Sequence, residues 1–348
     1  MDFTLIETDS ALNQAYEHWK TASELAIDLE CENNLHHYGV YITLIQIFDG
    51  KKHWILDMLR LKEVKKLVEI FENPLIQKII HDVSFDLRIL GTQLHCHPKN
   101  IFDTQMAAML LGKKEIGLAA LLKQYFSVQK QEKFQMADWT KRPLSADMLT
   151  YALGDVTYLI KLRDILMQEL GEKGRLSWAE QEFEFIEQKE WKYEEGSFFD
   201  IKGIRHITDT QRSILKRLFL LREQLAKKVD RPVHFVISTK KLVEFACNPP
   251  DWKKLQGVHP TVRNQAQLFF DAVEKGKKEL LSLPAITKKR YAPQQRDQFD
   301  KLTEKRDKIA EGLSMPKHLI ANQDQLREIV LTGKFDGLRE WQRELLNH

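Results

Sequence analysis

The chain has 348 residues, 43% of them hydrophobic and 30% charged, which suits a folded globular protein of two or three domains and excludes a disordered or fibrous one. No apolar run approaches the roughly 20 residues that a membrane helix needs, and the Met1-Asp2-Phe3-Thr4 start lacks the basic and apolar regions of a signal peptide, so a cytoplasmic protein is expected. The net charge of +3 hides an asymmetry: residues 1–200 carry 23 basic and 32 acidic side chains, residues 201–348 carry 30 and 18, which fits equally an enzyme joined to a polyanion-binding module and a helical domain that the excess charge only keeps soluble.

In chain order, Phe3–Glu7 reads as a short strand and Ser10–Thr21 as a helix. Leu25–Glu30, Tyr41–Phe48 and His53–Leu56 read as strands, with Asp49-Gly50 as a hairpin turn. Leu61–Phe71 is helical and stops before Pro74. Ile76–His81 is a short apolar strand followed by a helix, Ser84–Leu90. Ile101–Asp103 ends another strand, with helices to Leu111 and over Gly117–Phe126. Hairpin strands first, then alternating strand and helix, imply an α/β mixed sheet covered by helices. One long helix is expected from Ala146 to Leu170, with Ser145 as N-cap, Asp147 in its first turn, and Leu144 and Leu149 as a hydrophobic staple. Its Leu149, Leu153, Val156 and Ile160 form one stripe; Tyr151, Asp155 and Tyr158 form another.

Chemistry enters with the acids. Asp28 and Glu30, two apart on a strand, share a face. Asp86 lies in Phe85-Asp86-Leu87, and Tyr151 and Asp155, four apart, share a helix face. If the fold gathers them, like charges about 4 Å apart repel by roughly 4 kcal/mol per pair at an effective dielectric of 20. Such a cluster needs cations or protons. Oxygen ligands without His or Cys favour Mg²⁺ or Mn²⁺, the equipment of two-metal phosphodiester hydrolysis. Taken alone, Asp155 is a solvated helical position; the other two motifs reverse that reading. Asp82, one turn before Asp86, competes with it as a ligand and otherwise caps the following helix. Asp103 reads as an N-cap and His81 as structural. Trp139 and Arg142 are candidate substrate contacts, by stacking a base and holding a phosphate; otherwise they belong to a loop whose Trp packs on the core. Tyr38, His36 and His37 stand in a loop that could line the entry.

Asp-x-Glu, aromatic-Asp and Tyr-x-x-x-Asp, in that order, resemble the three motifs of the DEDD 3′→5′ exonuclease superfamily, in its tyrosine branch. Residues 73–87, 101–112 and 138–145 resemble the ribonuclease D family in particular. The resemblance implies a ribonuclease H-like exonuclease domain followed by all-α HRDC helical domains. It also implies residue roles. Asp28 would bridge two divalent ions, Mg or Mn. Glu30 and Asp155 would complete the site of the water-activating ion, and Asp86 would hold the second. Tyr151, a phenol protonated at pH 7, would position the attacking water. Nucleoside 5′-monophosphates would leave one at a time from a 3′ end. RNA is the implied partner, tRNA precursors included. DNA of a repair substrate is the nearest alternative, because the ions act on phosphate and not on sugar, and an idle nucleic-acid-binding protein is a third reading.

The rest of the chain divides as residues 1–189 for the exonuclease, 190–207 as linker, 208–290 as an HRDC domain and 291–348 as a second, shortened HRDC-like domain. Arg222, Ala226, Pro232, His234 and Leu242 recur 84 residues on as Arg306, Ala310, Pro316, His318 and Leu326, so one helical unit is duplicated. Lys227-Lys228, Lys240-Lys241, Lys253-Lys254 and Lys288-Lys289-Arg290 are candidate phosphate contacts. The three cysteines, Cys31, Cys96 and Cys247, have no CxxC spacing and read as reduced and structural. No self-complementary surface is legible, so a monomer is expected.

Overall fold

The computed structural model describes residues 2–130, 133–194, 196–255, 258–283 and 292–347. Lys288, Lys289 and Arg290 lie outside the described residues. Among the described residues no helix is long and apolar enough to cross a membrane. The chain forms two compact units. One comprises Met1–Glu30, Ile42–Tyr193 and Lys289–His348; the other comprises Cys31–Tyr41 and Glu194–Lys288.

The first unit is built on six strands: β1 (Phe3–Ile6), β2 (Glu24–Asn33), β3 (Val40–Phe48), β4 (His53–Asp57), β5 (Gln77–Ile80) and β6 (Ile101–Asp103), in the order β1-β4-β3-β2-β5-β6. β1 pairs parallel with β4, and β2 with β5 and β5 with β6 likewise; β3 and β4 form an antiparallel hairpin. At the hairpin turn Gly50 takes a φ of +91°, and the Asp49 carboxylate accepts the Lys51 and Lys52 amides at 2.8 and 2.7 Å. β2 therefore lies inside the sheet. Leu25, Ile27 and Leu29 bury one face of it, leaving Asp28 and Glu30 together on the other.

Eight helices, three between strands and five after β6, pack with them: α1 (Asp9–Trp19), α2 (Lys65–Glu72), α3 (Val83–Gln93), α4 (Thr104–Leu110), α5 (Leu118–Phe126), α6 (Ala146–Thr157), α7 (Leu159–Glu172) and α8 (Leu176–Gln188). The helix expected from 146 to 170 is two helices. The Thr157 hydroxyl donates to the Leu153 carbonyl at 2.6 Å and meets His53 Nε2 at 3.0 Å, and the chain turns at Tyr158 (φ −103°, ψ −7°). A threonine bonding back one turn bends a helix in this way. Ser145 caps α6 as expected, accepting the Met148 amide at 3.2 Å.

The second unit holds α9 (Asp209–Val229), α10 (Val233–Val236), α11 (Thr239–Cys247), α12 (Pro260–Asn264) and α13 (Ala266–Lys277). α9 and α13 cross so closely that a Cβ on Gly276 would stand 2.6 Å from Ile214 Cα. The segment expected as linker is packed structure. Trp191 donates to the Ile186 carbonyl at 2.8 Å in the first unit, whereas Phe198, Ile201 and Ile204 are buried in the core of the second. The charged run concealed these apolar anchors. Tyr38, from the excursion between β2 and β3, also packs on that second core. The Asp230 carboxylate accepts its amide at 3.1 Å and lies 2.6 Å from His37 Nδ1.

The duplication read from sequence is present in the backbone. α14 (Pro293–Leu313), α15 (Lys317–Ile320) and α16 (Gln323–Thr332) reproduce α9, α10 and α11 with the 84-residue offset, and α17 (Glu340–Asn347) closes the chain. The paired arginines are both buried: Arg222 reaches Thr239 Oγ1 at 3.0 Å and Arg306 reaches the Ala321 carbonyl at 2.9 Å. The apolar residues of the second copy join the core of the exonuclease portion. Ala310, Leu319, Leu326 and Trp341 share one apolar cluster with Phe102, Leu110 and Phe183 of the exonuclease portion. Gly112 (φ +75°) admits the contact, since a Cβ there would stand 2.7 Å from the Leu313 carbonyl oxygen. Buried Glu182 accepts both Arg339 donors, at 2.7 and 2.8 Å, and Trp341 Nε1 at 2.9 Å. Removing one partner of such a pair strands the other charge. Glu182→Ala should therefore destabilise the chain by about 3–5 kcal/mol, read as a shift in the urea midpoint; an unchanged midpoint would contradict this packing.

Candidate active site

The carboxylates converge. Oxygens of Asp28, Glu30 and Asp155 all lie within 4.8 Å of one another. Asp28 and Glu30 come from β2 and Asp155 from the last turn of α6. Asp86, in the first turn of α3, stands outside that group, but it is buried and its charge acts on both Asp28 and Glu30. Burial, and then the repulsion of Asp155, holds the Asp28 carboxyl well above its usual range. Glu30 is raised by burial and by Asp28 and Asp155, and Asp86 by burial and by Asp28. Burial lifts Asp155 to about 6 against the opposing pull of Lys130.

Asp103 fixes Asp86 in place. Its carboxylate accepts four backbone amides: Asp82 at 3.1 Å, Val83 at 3.3 Å, Gln105 at 2.8 Å and Met106 at 3.3 Å. It thus caps α4, as expected, and ties down the start of α3 as well. Asp82 holds the N-cap position of α3 in a left-handed conformation (φ +60°) but makes no side-chain cap bond; Asp103 takes over that role. His81 Nδ1 meets Thr104 Oγ1 at 2.9 Å, its buried Nε2 has no hydrogen-bond partner among the described residues, and burial lowers its pKa to about 4.

Two weaker expectations are corrected. Trp139 is 2% exposed and cannot stack on a base. Instead its ring stands 5.9 Å from that of Tyr151, and the Phe134 ring lies at the same distance, so the phenol packs against two aromatics. Arg142 is committed to Asp57 through Nε (2.5 Å) and Nη2 (2.8 Å) and also donates to the Trp139 carbonyl at 2.8 Å. A fork spent on a buried carboxylate is not available to a phosphate. Arg142 thus holds the Trp139 carbonyl, and the Trp139 ring packs against that of Tyr151.

Sequence reasoning missed Lys130. It follows α5 in a segment with no regular structure and no motif. Its ammonium is ion-paired with Asp155 Oδ1, lies 3.3 Å from the Tyr151 hydroxyl and sits 4.6 Å from the centre of that ring. Burial opposes the Lys130 charge, but Asp155 outweighs it and keeps its pKa above the usual lysine value. Burial and Asp155 push the Tyr151 phenol up to about 12, so it is a neutral hydroxyl at physiological pH.

The donor set fits a hard divalent cation: clustered carboxylates without His or Cys, already drawing in one positive charge.

Residues 3–171 match the 3′-5′ exonuclease family and residues 211–273 the HRDC domain family. Ribonuclease D of Pseudomonas paraeruginosa is 26% identical over 355 aligned positions, covering 97% of this chain and 94% of that protein. The exosome complex exonuclease RRP6 of Saccharomyces cerevisiae is 28% identical across 77% of this chain, which spans 40% of its length. Among solved structures, Escherichia coli RNase D superposes over the whole chain and 99% of its own (TM-score 0.76, 24% identity). Fold and site define a DEDD 3′-5′ exonuclease joined to an HRDC domain. Within that class the chain resembles ribonuclease D along nearly its whole length.

Divalent ions bind deprotonated carboxylates. With Asp155 held near 6 and the other three carboxyls raised as well, Mg²⁺ affinity should climb as pH rises through about 6; calorimetry from pH 5 to 8 checks this, and a flat profile contradicts it. Asp103 and Asp155 are both raised to about 6, so the folded chain holds their protons more tightly than the unfolded one. Metal-free stability should therefore fall as pH rises from about 4 to about 6, measured by thermal unfolding in chelator.

Proposed function

We propose that this chain is a divalent-metal-dependent 3′→5′ exoribonuclease that trims structured RNA, tRNA precursors included, and releases nucleoside 5′-monophosphates. The observation that carries the reading is the meeting of Asp28, Glu30 and Asp155 within 4.8 Å, with Asp86 and Tyr151 beside them. Two ions bound there, Mg²⁺ or Mn²⁺, would polarise the phosphate and lower the pKa of the attacking water. Asp28, Glu30, Asp86 and Asp155 would hold them. Tyr151, neutral and packed against Phe134 and Trp139, would orient the water by hydrogen bonding rather than take its proton. The names of its ribonuclease D relatives favour RNA over DNA.

RNA contacts are assigned to the first HRDC copy. Lys216, Lys227 and Lys240 are exposed there. In the second copy the equivalent positions, 84 residues on, hold Asp300, Glu311 and Asp324. One copy therefore keeps cations for a polyanion where the other has reversed them. A cytoplasmic monomer belongs to the same reading, and light scattering checks the oligomeric state.

With 3′-tailed RNA and Mg²⁺ or Mn²⁺, mononucleotides should accumulate. Asp28→Ala should lower the rate about hundredfold or more, because ion stabilisation supplies several kcal/mol. No release, or full activity in Asp28→Ala, would overturn the proposal, and a matched DNA oligonucleotide cut faster than RNA would move the substrate to DNA. Reversing Lys227 and Lys240 to Glu should weaken RNA binding evenly across sequences and flatten its salt slope by about one per lost contact; filter binding at graded salt reads this.

A further inference from the structure

We infer that Lys130 is the resident counter-cation of the carboxylate site, and that a divalent ion must displace its ammonium from Asp155 in order to bind. The inference rests on the metal-dependent reading above and adds a residue to it.

The geometry is specific. Asp155 offers one oxygen to the group shared with Asp28 and Glu30, and it is ion-paired through Oδ1 with Lys130 Nζ. The pair is shielded: the Lys130 side chain is 17% exposed and that of Asp155 5%. Among the described residues no other Lys or Arg pairs with Asp28, Glu30, Asp86 or Asp155. Arg142 is engaged with Asp57, and exposed Lys133 faces Asp147 at 3.5 Å. One ammonium with three donors cannot neutralise four acids. A divalent ion, which gathers about six oxygens, neutralises more of them but needs the same Asp155 carboxylate. Lysine and ion are therefore competitors for one ligand. The same ammonium touches the Tyr151 hydroxyl at 3.3 Å and covers its ring, so its departure also frees the phenol for the water that it orients. Lys130 is on this account a positioning residue that keeps the site assembled without metal and yields to it.

The test is calorimetric titration of the metal-stripped full chain with MgCl₂ and with MnCl₂, comparing wild type, Lys130→Met and Lys130→Arg. Met keeps the stem and loses the charge; Arg keeps the charge. Lys130→Met should bind the ion about tenfold or more tightly than wild type, while Lys130→Arg stays close to it. In chelator Lys130→Met should melt below wild type, and with saturating Mg²⁺ the two should coincide. Should Lys130→Met fail to fold, wild type with ¹³C-methylated lysines reports directly: the Lys130 signal, assigned through Lys130→Arg, should move to the exposed-lysine position on Mg²⁺ saturation. Equal or weaker affinity in a folded Lys130→Met, or a Lys130 signal that ignores Mg²⁺, overturns the inference alone. A wild type that binds neither ion overturns the metal-dependent reading and the inference with it.

Discussion

Mutual repulsion of clustered, largely shielded carboxylates governs this molecule. Three acidic side chains within 4.8 Å repel by about 3–4 kcal/mol per pair at an effective dielectric of 20. A chain gains nothing in stability by arranging them so. The cost is held in place by interactions made elsewhere: an internal strand that fixes Asp28 and Glu30, a capping carboxylate that fixes Asp86, and a helix docked on the sheet that delivers Asp155. Each is rigid for its own reasons, and together they present charges that only a cation satisfies.

The supporting groups form chains of contact. Asp57 holds Arg142, Arg142 holds the Trp139 loop, and Trp139 holds the Tyr151 ring. Asp103 ties the start of α3 to that of α4 through four amides. None of these groups needs to touch substrate. They remove the freedom that would let Tyr151 or Asp86 drift.

The duplicated helical unit shows how one sequence pattern takes two physical roles. Both copies keep the helix lengths, the left-handed cap at Asp230 and Ser314 and the buried arginine. Phe235 of the first copy is 56% exposed, whereas its counterpart Leu319 is 4% exposed and belongs to the core that includes Phe102 and Phe183. The first copy is completed by α12 and α13; the second lacks them and is completed by the exonuclease portion. Below a certain size a helical unit cannot bury enough apolar surface alone, and the shortened copy borrows a neighbour's.

Much of this was legible in the sequence because it depends on local rules. Period-two spacing put Asp28 and Glu30 on one face, helical spacing joined Tyr151 to Asp155, and the 84-residue recurrence foretold matching helices. Tertiary structure decided the rest, because it depends on partners distant in sequence. Nothing near Arg142 announces Asp57, nothing near Trp139 announces the Tyr151 ring, and Lys130 carries no motif. Nor did the run 190–207 advertise that its few apolar residues anchor in cores. Local sequence determined which groups each element carries and which way they face; folding alone decided how close they come, and electrostatic and packing energies are set by that distance.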